Sequence, residues 1–198
     1  SHPYFWISNW FGGKPFHLSD LANTSPTPGI RDVQKEHKLP IINNEYAWLW
    51  LNRDGTPTCL TRPVYQELLG PTASIPEHRY TYARTLAALT EFWRCHRKCA
   101  AVMHFCGLAY SRPGGWERPE AGATSDHFTD LESLNLEPFF VQYVRDAFAP
   151  VGLMIDLWQR DWSPGQSTAV PVKVINDLYV PWEGKVVLRL TRNGETVV

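Results

Sequence analysis

The chain has 198 residues, 43% hydrophobic, 20% charged and 13% aromatic, with a formal net charge of −1. That is enough apolar material for one domain or two small ones, and nine Trp, nine Phe and eight Tyr exclude a disordered chain. Nineteen Lys+Arg against twenty Asp+Glu leave no basic footprint for nucleic acid or an anionic membrane surface. No apolar run reaches the roughly 18 residues of a membrane span. The longest, Cys99 to Tyr110, is interrupted by His104 and Gly107. Nothing resembles a signal peptide and residue 1 is Ser, so the sequence reads as processed or as a piece of something longer. Four Cys do not make a disulfide framework. The compartment stays open, with a soluble, extracytoplasmic setting favoured. Tryptophan is the unusual residue: a surface that stacks flat, weakly polar ligands such as sugars would use it, and so would a Trp-rich core.

In chain order, Tyr4 to Ile7 and Leu39 to Asn43 are short apolar runs without alternation, suited to strands buried on both faces. Ser74-x-x-Glu77 has capping-box spacing, with Pro76 in the first turn, and opens a helix predicted over Glu77 to Lys98. Tyr82, Leu86, Leu89 and Trp93 form its apolar stripe, with Ala83 and Ala87 beside them. Ala100 to Cys106 is another continuous apolar run. Residues 107–136, rich in Gly, Pro and Ser, read as a long loop. A second helix is predicted from Glu137 to Ala147, stopping near Pro150. Beyond it the period changes to two: Leu153, Ile155 and Leu157; Val170, Val172 and Val174; Val186, Leu188 and Leu190. Asn193-Gly194 signals a hairpin turn. The front thus has the rhythm of β/α units and the back that of an antiparallel sheet with one buried face. Both are too few, since a (β/α)8 barrel takes about 250 residues and a sandwich about seven strands.

No G-x-S-x-G elbow, Walker loop, G-x-G-x-x-G or H-E-x-x-H occurs. The richest segment is Leu39 to Gly55, where a buried strand opens at Asn44, Glu45 and Tyr46 into an aromatic loop carrying Trp48 and Trp50. A carboxylate at a strand's C-terminal end, walled by aromatics, can attack an anomeric carbon, with Asn44 and Tyr46 orienting it. Equally, Glu45 can cap the next turn or pair with Arg53. Trp48, Trp50 and Tyr4 are candidate sugar platforms or core residues. His104 reads as a hydrogen-bonded strand residue or a substrate contact. Cys95, Cys99, Cys106, His96 and His104 lack C-x-x-C spacing, so no metal site is assigned. Tyr110 and the Asp126-His127 pair sit in the long loop, where they would shape a binding site.

The stretch Lys38 to Ala47, KLPIINNEYA, resembles the nucleophile strand of clan A glycoside hydrolases. The likeness is greatest to family 2, the β-galactosidase, β-glucuronidase and β-mannosidase type. His2-Pro3-Tyr4 resembles the end of the preceding barrel strand; Glu77–Lys98 followed by Ala101 to Cys106 is similar to the last barrel helix and strand. Ala147 to Gly152, Pro164-Gly165 and Val170 to Asp177 resemble the passage into the following sandwich. The resemblance implies the C-terminal part of a (β/α)8 barrel over 1–148, then a partial antiparallel β-sandwich over 149–198. It implies a retaining glycosidase fragment with Glu45 as nucleophile, the His2–Tyr4 strand end near the substrate and no cofactor; Asn44, Trp48, Trp50, His104 and Tyr110, read from the residues themselves, complete the expected substrate contacts. Asn44-Glu45 also matches the Asn-Glu of the family's acid/base, but only one barrel strand follows it, which favours the nucleophile. The second carboxylate is expected from outside this chain, leaving the chain inactive by itself. The expected partner is a carbohydrate, with neither nucleic acid nor membrane, and the open strand edges predict homo-oligomers. The alternative is a non-catalytic carbohydrate-binding or adhesion module.

Overall fold

A computed structural model describes residues 40, 42–47, 49–96, 99–109, 126–157 and 162–197. In order these form β1 (Ile42–Asn43), α1 (Arg62–Leu69), α2 (Ile75–His96), β2 (Ala101–Val102), β3 (Phe128–Asp130) and β4 (Asn135–Leu136). Then follow α3 (Pro138–Ala147), β5 (Val151–Ile155), β6 (Val172–Asn176), β7 (Thr191–Arg192) and β8 (Glu195–Thr196).

The 22-residue helix α2 carries α3, β2, β5 and β6 against it. Its N-terminus is closed reciprocally: the Ser74 N–H and hydroxyl both donate to Glu77 Oε2 at 2.7 Å, and the Glu77 N–H donates to Ser74 Oγ at 3.4 Å. Leu86, Leu89 and Phe92 are completely buried along its apolar stripe, each contributing about 1.5–3 kcal/mol of transfer free energy. Helix α3 packs across α2, with Tyr80 meeting Phe139 and Tyr143 edge-on at 5.7 and 5.8 Å. Glu137 caps α3 through Oε2, which accepts the Phe140 N–H at 2.7 Å.

Strands β1 and β2 pair in parallel, Ile42 beside Ala101 and Asn43 beside Val102, with α1 and α2 between them in the chain. The Met103 N–H continues the ladder to the Asn43 carbonyl at 2.8 Å. The loop leaving β1 is fastened to α1: Thr61 Oγ1 donates to the Trp50 carbonyl at 2.6 Å and the Tyr65 hydroxyl to the Leu49 carbonyl at 2.7 Å. Gly55, at φ +87°, turns the loop where any side chain would collide, since a Cβ there would lie 2.3 Å from Ile75 Cγ2.

The architecture differs from the sequence expectation. Among the described residues there is neither the C-terminal part of a (β/α)8 barrel nor a β-sandwich; there are three helices and four two-stranded sheets. Of the short apolar runs read as buried strands, Leu39 to Asn43 and Ala100 to Cys106 pair over two described residues each, and Tyr4 to Ile7 lies outside the described residues. Ile42 and Met103, at 48% and 55% exposure, show that this pair has a face without cover, unlike an interior barrel strand. The alternating tail is corrected too. Strands β5 and β6 are antiparallel over five residue pairs, but Met154 and Ile175 face α2 while Leu153, Ile155 and Val174 stay exposed. Period-two spacing separates the faces of a strand without saying which face meets a helix, and here both faces are apolar. Residues 181–190, expected to supply another strand, make none. The Asn193-Gly194 turn does form, with both residues at positive φ between β7 and β8.

The expected boundary at 148/149 falls in the turn between α3 and β5, and one side chain spans it. Arg94 of α2 is buried; its guanidinium donates to the Ala147 carbonyl, to the Ala149 carbonyl at 2.6 Å and to Asp177 at 2.7 and 3.0 Å.

Candidate functional site

Glu45 lies two residues beyond β1, half-buried, with Asn44 beside it in the same setting. Tyr46 then turns into the core, where its hydroxyl meets Thr90 Oγ1 at 2.7 Å; burial pushes that phenol upward. Ala47 follows at φ +53°, a left-handed conformation costing a non-glycine residue about 1–2 kcal/mol. Strain of that kind beside a partly exposed carboxylate fits a position held in place for a task.

The end of β2 supplies the opposite wall. The Cys106 thiol is pushed up to about 11, first by burial and then by the carboxylates of Asp126 and Glu45. Cys106 is therefore protonated at neutral pH, a half-buried thiol rather than a nucleophile. Asp126, with no exposed side-chain surface, accepts Arg53 Nη2 at 2.6 Å, the Ala109 N–H at 3.0 Å and the Phe128 N–H at 3.1 Å. Arg53 Nη2 also donates to the Ala109 carbonyl at 2.7 Å. These bonds clamp the loop after β1, the chain after β2 and the start of β3 together. Arg53, the alternative partner weighed for Glu45, is committed to Asp126. Asp126 in turn is occupied by three donors, which suits a clamp and not a proton donor.

Next to the clamp, His104 Nε2 and His127 Nε2 are 2.9 Å apart, so one ring donates and the other accepts. His127 stacks on Phe140 at 3.8 Å and 19°, and its other neighbour is the Tyr82 ring at 4.6 Å. Burial lowers both imidazoles, His104 to about 4 and His127 well below its ordinary range. Among the described residues here, the buried Asn43 amide, Tyr82 hydroxyl and His104 Nδ1 have no hydrogen-bond partner. Each carries a desolvation cost of about 1–3 kcal/mol.

The structure thus brings Glu45, Asn44 and His104 to the carboxyl ends of one parallel strand pair. Trp50 is corrected from a sugar platform to a core residue. It is 2% exposed, its indole N–H reaches toward the Phe105 carbonyl at 3.4 Å, and Phe105 lies against it edge-on at 6.1 Å. A pyranose cannot stack on a ring already covered. His2, Tyr4, Trp48 and Tyr110 lie outside the described residues. Sequence reasoning noticed Asp126 and His127 only as loop residues and treated Tyr82 only as helix stripe. The lone signal was a polar Ser-Asp-His run closing a Gly/Pro-rich stretch, which names no partner.

A larger cavity of about 540 Å³ opens at the amino end of β2, among Trp93, Arg94, Phe148, Asp177 and Tyr179. It adjoins neither Glu45 nor the histidine pair. Among the described residues no cluster of three or more His, Cys, Asp or Glu side chains is arranged to hold a metal, and no helix is long and apolar enough to cross a membrane. Comparison with protein-family models, curated proteins and solved structures finds no match to this chain.

Proposed function

We propose that the chain carries the nucleophile of a retaining glycoside hydrolase, with Glu45 attacking the anomeric carbon of a carbohydrate substrate. The observation supporting this most directly is the position of Glu45, half-buried just past the carboxyl end of a strand paired in parallel. Ligands of α/β sheets bind at that edge, where strand ends present side chains to a shared crevice.

In the first step the Glu45 carboxylate forms a bond to the anomeric carbon while the bond to the leaving oxygen breaks. That oxygen takes a proton from a second carboxylic acid about 5–5.5 Å from Glu45. In the second step water attacks the glycosyl ester, gives its proton to the second carboxylate and releases Glu45. Asp126 does not suit the second role, because its oxygens are occupied by Arg53 and two backbone N–H groups.

The test uses 2,4-dinitrophenyl 2-deoxy-2-fluoro-β-glycosides of glucose, galactose and mannose. Their leaving group departs without protonation, so the reaction reads the nucleophile alone. Mass spectrometry of a digest should find the fluorosugar on the peptide containing Glu45, and Glu45→Gln should remove it. A label on another carboxylate, or none with any sugar, overturns the assignment. Saturable sugar binding without labelling would instead favour a carbohydrate-binding module.

A further inference from the structure

The geometry points to the His104–His127 pair as an acid-sensitive latch that holds segment 126–137 against α2 and α3 and releases it when the pair gains a proton. One ring is anchored just after β2 and the other just before β3, and the pair joins them through a single Nε2–Nε2 hydrogen bond of 2.9 Å. That bond exists only while at least one facing nitrogen is bare. Protonating either neutral ring converts its second nitrogen to a donor, and a second proton sets two N–H groups against each other. A first proton leaves the Nε2–H···Nε2 bond in place and costs through burial, because the stack on Phe140 at 3.8 Å and the contact with the Tyr82 ring replace water around His127 with carbon.

Nor do the surrounding charges offset that cost. A cavity of about 20 Å³ beside His127 is ringed by Arg53, Arg79, Tyr82, Asp126 and Glu137. Asp126 is engaged by Arg53, Arg79 donates to the Arg53 carbonyl at 2.8 Å, and Glu137 Oε2 caps α3. Burial keeps the Tyr82 phenol and the Cys106 thiol protonated at neutral pH. From α3 the packed side chain is Phe140, which carries no charge. Two guanidiniums and two carboxylates leave no surplus anion to welcome a proton on either ring.

The segment's other ties lie at its two ends, where Asp126 holds Arg53 and the Ala109 N–H and Glu137 caps α3. The Glu137 N–H donates to the His127 carbonyl at 2.8 Å, while Leu131, Leu134 and Leu136 are exposed. Opening frees both imidazoles to titrate in their ordinary range. A histidine that is neutral when closed and ordinary when open favours the open form about 30-fold at pH 5.0 relative to pH 7.5. Release also draws on Asp126, the neighbour of His127, and therefore loosens the clamp beside Glu45.

Amide hydrogen exchange of the whole chain, expressed as protection factors, reads this directly. Between pH 7.5 and 5.0 the amides of Phe128 and Glu137 should lose about 30-fold or more in protection, while Leu86 and Leu89 in mid-α2 keep theirs. The double variant His104→Leu, His127→Phe retains the ring stack and removes both titrating groups, so its loss should shrink below about 3-fold. Imidazole nitrogen shifts of the unaltered chain give an independent reading, in which both rings stay neutral at pH 5.0 wherever the segment remains protected. Equal protection at both pH values, an equal loss across α2, or a loss persisting in the double variant overturns the latch. So does an imidazole that charges above pH 6 while Phe128 and Glu137 stay protected.

Discussion

Helix α2 buries Leu86 and Leu89 completely, whereas Leu188 and Leu190, on an equally regular pattern, remain 65% and 63% exposed. A helix satisfies its own backbone hydrogen bonds, so one apolar stripe needs only a surface to lie on, and α3 and β5 supply it. A strand must find both a hydrogen-bonding neighbour and a covering layer. Residues 151–155 and 172–176 find the first in each other and the second, on one face, in α2. Residues 181–190 form no strand; Leu190 alone accepts the Val197 N–H at 2.7 Å, and Leu188 and Leu190 stay uncovered. The period of a sequence therefore names an element's geometry, while its burial depends on what the rest of the chain brings to it.

The comparison breaks most visibly at its two extremes. Leu89→Ala should cost about 2–5 kcal/mol in urea unfolding, by lost transfer free energy and an unfilled cavity. Leu188→Ala should change stability by no more than about 0.5 kcal/mol. Comparable losses at the two sites would mean that residues 181–190 are covered in solution.

The joint between the two regions is Arg94. Arg94→Met removes four donations and leaves the Ala147 and Ala149 carbonyls and the Asp177 carboxylate without it. With Asp177 one-third exposed, water recovers part of the loss, and about 2–4 kcal/mol is expected. Exchange protection should fall first in β5 and β6 and last in mid-α2. Simultaneous loss throughout would show that the two regions unfold as one unit.

The smallest effect has the opposite sign. Tyr82→Phe deletes a buried hydroxyl that has no partner and keeps the ring against His127. It should raise stability by about 1 kcal/mol, read as an upward shift of the unfolding midpoint. A loss of the same size would mean that the hydroxyl is satisfied in solution.

What the sequence disclosed followed from the range of the interactions. The α2 capping box, the α3 stop before Pro150 and the Asn193-Gly194 turn depend on residues three or four apart, and each was legible. Glu45 was legible as a carboxylate ending an apolar run. The clamp was not: Arg53 and Asp126 are 73 positions apart, and nothing in either neighbourhood names the other. The histidine pair, 23 apart, was hidden for the same reason. Trp50 was misjudged because a tryptophan beside a loop looks alike whether its ring faces solvent or Phe105. The barrel expectation failed on extent: apolar runs of five to seven residues pair over only two, and run length alone does not count neighbours.

The separations spanned by these bonds also order the events of folding. Closing the Arg94–Asp177 contact across 83 residues costs about 1 kcal/mol more in loop entropy than closing His104–His127 across 23. Helix α2, whose bonds are local, can form before any of them, and α3 can dock on it without waiting for the strands. The wall around Glu45 has no such local route, because β1, β2 and Asp126 arrive from three distant stretches of chain. A chain released partway through folding would carry its helices in place and the edge at Glu45 unassembled.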